Sequence, residues 1–104
     1  MILQGKTVLV TGVGGGLGRE CAASALRDGA NVVIAARTAD TLAAIAAELD
    51  PTGERVVSKV TDITDADSCA ALVETATERF GKVDALVQVA AVENAWGGLY
   101  DLKF

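Results

Sequence analysis

Thr11-Gly12-Val13-Gly14-Gly15-Gly16-Leu17-Gly18 is the stretch of this chain whose residue types and spacing point to chemistry. It lies between an apolar run, Thr7-Val8-Leu9-Val10, and an amphipathic segment. Glycines let a backbone turn sharply and approach a bulky anion with no Cβ in the way. A helix starting at such a turn points unpaired N–H groups at that anion, and its dipole favours the charge. The expected ligand is a nucleotide, held by its phosphates. The other reading is a strand-to-helix turn with no ligand, but strand, turn and helix follow in the order that binding requires. The spacing is not G-x-G-x-x-G, because counting from Gly12 the third glycine position is Leu17. It is not a P-loop either, since no Lys-Ser/Thr pair follows the glycines. Gly5-Lys6-Thr7 precedes a strand, so it is no P-loop end.

Other chemistry is thinly represented. The chain has no histidine, which excludes Ser-His-Asp and Cys-His nucleophilic sites within it. Cys21 and Cys69 lack CxxC spacing and read as reduced core thiols. No metal site is expected, because a zinc centre here would need carboxylates to complete it. Lys6, Arg19, Arg27 and Arg79 read as solvated charges, as do Glu48, Glu54, Glu74 and Glu78.

The elements that must position the glycine turn alternate between strand and helix. Strand one is read at residues 6–11. Helix one runs from Gly16 to Asp28 with Leu17, Cys21 and Ala25 as its stripe, and Gly29 closes it. Strand two, Val32 to Ala36, is an unbroken apolar run of the kind buried on both faces. Helix two follows Thr38 as N-cap and carries Leu42, Ile45, Ala46 and Leu49 on one face. Asp50-Pro51-Thr52-Gly53 is a turn. Strand three is Val56 to Val60. Helix three starts near Thr64, whose spacing to Asp67 resembles a capping box. Its stripe is Cys69, Leu72, Val73, Ala76 and Phe80, and Gly81 ends it. Strand four is Ala85 to Ala90, and the periodicity stops after Ala91. Right-handed crossovers then predict an α/β fold, part of a Rossmann-type doubly wound parallel sheet in the order 3-2-1-4. Ligands bind at the crevice between strands one and four, where the winding reverses.

Composition sets the bounds. The chain's 104 residues make one domain at most, 51% hydrophobic and with a net charge of −5. That balance suits a globular α/β protein. It shows no basic face for nucleic acid. No apolar run approaches the ~20 residues of a membrane span, and Met1 to Lys6 has no signal-peptide character. The expected location is the cytoplasm.

T-G-x-x-x-G-x-G does fit, at Thr11, Gly12, Gly16 and Gly18, and here the chain resembles the short-chain dehydrogenase/reductase family. Asp62, in Val60-Thr61-Asp62-Ile63, stands where that family places an aspartate beside adenine. Phe80-Gly81-Lys82-Val83-Asp84-Ala85-Leu86-Val87 looks like its approach to strand four. The resemblance implies that residues 11–18 (Thr11, Gly12, Val13, Gly14, Gly15, Gly16, Leu17 and Gly18) hold a pyrophosphate. It likewise implies that Asp62 and Ile63 meet the adenine, and Ala90 and Ala91 the ribose. An NAD site commonly ends strand two in Asp or Glu. Here Ala36 is followed by Arg37 and Thr38, which implies a 2′-phosphate and NADP in preference to NAD. Gly15 departs from this pattern, since NADP-binding relatives often carry a polar or basic residue there.

Two further departures concern strand four and the catalytic residues. Gln88-Val89-Ala90-Ala91 stands where the family has Asn-Asn-Ala-Gly, so the usual asparagine link to Thr11 is lost unless Gln88 replaces it. The family's Ser and Tyr-x-x-x-Lys are not found, and Tyr100 to Lys103 is one residue too short. No catalytic residue is therefore assigned. The expectation is a dinucleotide-binding half over residues 1–91, with 92–104 leading into a second half of a longer dehydrogenase. That parent would transfer hydride between nicotinamide and a carbonyl or secondary alcohol, and would be a homo-oligomer. The alternative is a non-catalytic dinucleotide-binding module or inactive fragment. A methyltransferase-like fold binding S-adenosylmethionine fits less well, because strand two lacks an acidic end.

Overall fold

A computed structural model describes residues 3–13 and 16–89. Its elements are β1 (Thr7–Thr11), α1 (Leu17–Arg27), β2 (Asn31–Ala36), α2 (Ala39–Leu49), β3 (Val56–Val60), α3 (Ala66–Phe80) and β4 (Ala85–Gln88). The strands form one parallel sheet in the order β3-β2-β1-β4, the Rossmann-type arrangement expected. Gly14, Gly15, Ala90, Ala91 and the segment 92–104 lie outside the described residues.

Alternation along the strands sends side chains to two cores. Val8, Val10, Val32, Ile34 and Val56 pack with Ala22 and Ala25 of α1 and Leu42 and Ile45 of α2. Leu9, Val33 and Ala35 face the other way, against Leu72 and Ala76 of α3. The helix thus changes faces between β1 and β4. That reversal leaves a crevice at the C-terminal end of β1, where the glycine turn begins.

The α1 stripe differs from expectation. Leu17 is 69% exposed, Cys21 is half-buried, and the buried positions are Gly18, Ala22 and Ala25. The helix lies too close to the sheet for large side chains, so small residues fill its inner face. On α3, Leu72 and Ala76 are buried as expected, with Phe80 packed beside them, whereas Val73 is 49% exposed. Its N-cap is Asp65, which accepts from the Asp67 N–H, and not Thr64. Thr64 is already engaged by Asp62.

Several charges have structural tasks that local patterning does not reveal. Arg19 pairs with Glu48, joining α1 to α2. Arg79 donates to the carbonyls of Gly53 and Glu54 at 3.0 and 3.1 Å. Arg55 donates to the Leu26 and Ala30 carbonyls at 2.9 and 2.7 Å, closing the end of α1 against β2. Asp84 binds β4 to β1 in both directions. Its carboxylate accepts from the Thr7 N–H at 2.7 Å, and its N–H donates to the Thr7 carbonyl at 2.9 Å. That Thr7 bond, then the charge of Lys82, holds the Asp84 carboxyl below its ordinary value.

Asp50 organises the turn before β3. It accepts from the Thr52 hydroxyl at 2.6 Å and from the N–H groups of Thr52 and Arg55 at 3.1 and 2.8 Å. The Thr52 hydroxyl, followed by the Arg55 N–H, lowers its pKa from 3.8 to about 2. A carboxyl with a lowered folded-state pKa stabilises fully above its unfolded value and loses that contribution as pH falls through the folded one. The expected outcome is that Asp50→Ser loses less of its urea midpoint than the wild type between about pH 5 and about pH 2. Equal losses would show that the turn carries no such linkage.

Candidate functional site

The site grows from the end of β1. Thr11 is 4% exposed and pairs in register with Ala35 on one side and Gln88 on the other. Past it, Gly12 has φ 78°, a conformation open to glycine at little cost. The Val13 N–H donates to the Ala35 carbonyl at 3.1 Å, and the Val13 side chain is fully buried. The chain then returns at Gly16, whose φ is 61° and whose missing Cβ would point into open space.

Gly18 makes the close approach. A Cβ there would stand 2.9 Å from the Gly12 carbonyl oxygen and 3.1 Å from Val13 Cα. The start of α1 is thereby held against the turn it leaves. Gly16 caps α1 with no side-chain hydrogen bond, and no side chain among the described residues bonds the first-turn N–H donors. A backbone cradle, open space beside Gly16 and an uncapped helix start fit a diphosphate group.

Two further elements bring residues to the same edge of the sheet. Arg37 is exposed just beyond β2. Thr38 is the N-cap of α2 as expected, but its side chain makes no capping bond and the residue is exposed. Beyond β3, the Thr61 N–H donates to the Ala36 carbonyl at 2.8 Å, which seats the next residue, Asp62, at the rim. One carboxylate oxygen of Asp62 accepts from the Thr64 N–H at 2.9 Å and from its hydroxyl at 2.6 Å. The Asp62 N–H donates to the Ser68 hydroxyl at 2.9 Å. The Thr64 hydroxyl, then its N–H, hold the Asp62 carboxyl below its usual value, and the Arg37 charge adds to this.

Ile63 lines a cleft between α3 and the β1–β4 pair, with Leu9, Thr11, Cys69, Leu72, Val73, Leu86 and Gln88. Leu86, on the sheet's edge strand, is 57% exposed. The Thr11 hydroxyl has no partner among the described residues, so Gln88 does not form the link that an asparagine would. The described residues of the expected site (Thr11, Gly12, Val13, Gly16, Leu17, Gly18, Arg37, Thr38, Asp62 and Ile63) all lie at or just past the C-terminal ends of β1, β2 and β3. Sequence reasoning missed Ser68, which orients Asp62; its only signal is its place in the first turn of α3.

The short chain dehydrogenase family model matches residues 6–101. This chain belongs to that family. A hydroxysteroid dehydrogenase-like protein 2 from Danio rerio is 39% identical over 104 residues, covering 93% of this chain and 25% of that protein. The short chain dehydrogenase/reductase dpchG of Colletotrichum higginsianum is 41% identical over 101 residues, covering 97% of this chain and 38% of its own length. A short chain dehydrogenase from Mycobacterium smegmatis superposes with a TM-score of 0.81 at 37% identity, covering 86% of this chain and 38% of that one. The chain therefore spans about a quarter to two fifths of the length of these relatives. Among the described residues no helix is long and apolar enough to cross a membrane.

The Gly18 contact yields a direct test. Because the obstructing atoms are backbone, Gly18→Ala is expected to lower unfolding stability by about 1–3 kcal/mol, measured by urea denaturation. An unchanged midpoint would mean that α1 can stand away from the turn.

Proposed function

We propose that this chain is the cofactor-binding part of an NADP(H)-dependent oxidoreductase, acting on a carbonyl or secondary alcohol. In this reading residues 11–18 cradle the pyrophosphate, with donors from the start of α1. Arg37 and Thr38 take the 2′-phosphate. Asp62 and Ile63 border the adenine, and Ala90 and Ala91 border the ribose. The bound dinucleotide supplies or accepts the hydride, and this chain binds and orients it.

The observation that carries the NADP preference is the end of β2. Ala36 stands where an NAD site would have a carboxylate, and the exposed Arg37 guanidinium follows it. A guanidinium binds phosphate through charge-assisted, often bidentate hydrogen bonds. Among structural relatives, an actinorhodin polyketide ketoreductase described with NADPH superposes with a TM-score of 0.76 at 33% identity, covering 82% of this chain and 33% of its own.

Residues 1–91 form the dinucleotide-binding half in this proposal, with 92–104 leading onward. The Ser and Tyr-x-x-x-Lys of the resemblance are not among the 104 residues, so the reacting side chains belong to the rest of the parent protein. The parent is taken as a cytoplasmic homo-oligomer, in keeping with the free thiols of Cys21 and Cys69.

Titration of the 104-residue chain with NADPH and NADH tests the assignment. NADPH is expected to bind more tightly. Arg37→Gln should lower the ratio of the NADH Kd to the NADPH Kd by about tenfold, the worth of a charge-assisted bond at an exposed site. Tighter binding of NADH by the wild type would overturn the preference. NADPH binding with no turnover of any carbonyl or alcohol by the parent protein would favour a non-catalytic module.

A further inference from the structure

Arg37 does not stand alone at the rim. β2 and β3 run in parallel register to Ala36↔Val60, and the next step is fixed by the Thr61 N–H bond to the Ala36 carbonyl. Arg37 and Asp62 therefore leave the ends of neighbouring strands side by side. Both side chains are exposed, and the charge of one is felt at the other.

Asp62 cannot readily swing away. Thr64 grips one carboxylate oxygen with two hydrogen bonds, and Ser68 grips the Asp62 backbone N–H. The second carboxylate oxygen takes no hydrogen bond from the described residues. A fixed negative charge thus stands beside the one exposed cation that closes β2. A dianionic phosphate approaching Arg37 comes under the field of that charge.

We propose that Asp62 is a specificity-determining residue of opposite sign to Arg37. Its carboxylate draws on the Arg37 guanidinium and repels a 2′-phosphate, which narrows the discrimination between NADP(H) and NAD(H). The proposal rests on Arg37 being the 2′-phosphate site. It is separate from any contact of Asp62 with adenine, since that contact is common to both dinucleotides and cancels in a ratio.

The test is the ratio of the NADH Kd to the NADPH Kd, measured by fluorescence titration of the 104-residue chain. Asp62→Asn removes the charge and keeps an oxygen to accept the Thr64 bonds. It is expected to raise the ratio about threefold in about 20 mM salt and to lose most of that gain in about 0.5 M salt, where exposed charges are screened within a few ångström. Asp62→Glu keeps the charge and should leave the ratio near the wild-type value. Asp62→Ser removes the charge with a shorter acceptor and should match Asp62→Asn, so a folding failure of one variant leaves the other to decide.

An unchanged ratio in both neutral variants at low salt would overturn the proposal, as would a change equal at both salt concentrations. If Arg37→Gln lowers the ratio while the Asp62 variants do not move it, this inference fails and the Arg37 assignment survives. If Arg37→Gln also leaves the ratio unchanged, the assignment itself fails.

Discussion

The structure turns on one steric contact, the approach of Gly18 to the Gly12 carbonyl and Val13 Cα. A side chain at position 18 would push α1 outward by its own width. With hydrogen there, the helix begins directly against the strand it follows. The inner face of α1 must then be built from small residues, and Ala22 and Ala25 supply it. The same closeness aims the uncapped start of α1 at the end of β1. Packing and the proposed anion site would therefore share one cause, because the glycine that allows the approach also fixes where the helix donors point.

The sheet extends that local fact into a site. α1 and α2 cover one face and α3 the other, so the ends of β1, β2 and β3 converge on a common edge. Each strand end delivers a different kind of group there. β1 delivers glycines and backbone donors, β2 a cation, and β3 a carboxylate held in a tight turn. The opposite edge is structural. Asp84 with Thr7, and Arg55 with the carbonyls of Leu26 in the last turn of α1 and of Ala30 beyond it, tie the strands together at that end. The rigid edge sets the register, and the register decides which residues meet at the functional edge.

Much of this was legible in the sequence. Apolar and β-branched residues marked the strands, and helical crossovers gave a parallel sheet in the doubly wound order, although only β1 and β2 are buried from both sides. The glycine turn, Arg37 and Asp62 were readable because local spacing places them at strand ends. What was not legible depended on distance or competition. Hydrophobic periodicity favours large residues, so it put Leu17 on the inner stripe when the close approach at Gly18 selects small ones. Thr64 had the spacing of a cap, but Asp62 engages it first and Asp65 caps α3 instead. Arg79 read as surface charge, because the carbonyls it binds lie more than twenty residues away. Gln88 stood as a possible partner for Thr11, and its side chain leaves that hydroxyl unpaired among the described residues.

The central claim is that a dinucleotide lies across the C-terminal edge of β1, β2 and β3. The most direct measurement is a set of backbone amide NMR shifts recorded while NADPH is added to the chain. The account predicts shifts concentrated at Gly12, Gly16, Leu17 and Gly18, at Arg37 and Thr38, and at Asp62 and Ile63. The Asp50–Arg55 turn and the Thr7–Asp84 end should stay still. Shifts centred on that opposite end, or none in the glycine turn at saturating NADPH, would contradict it.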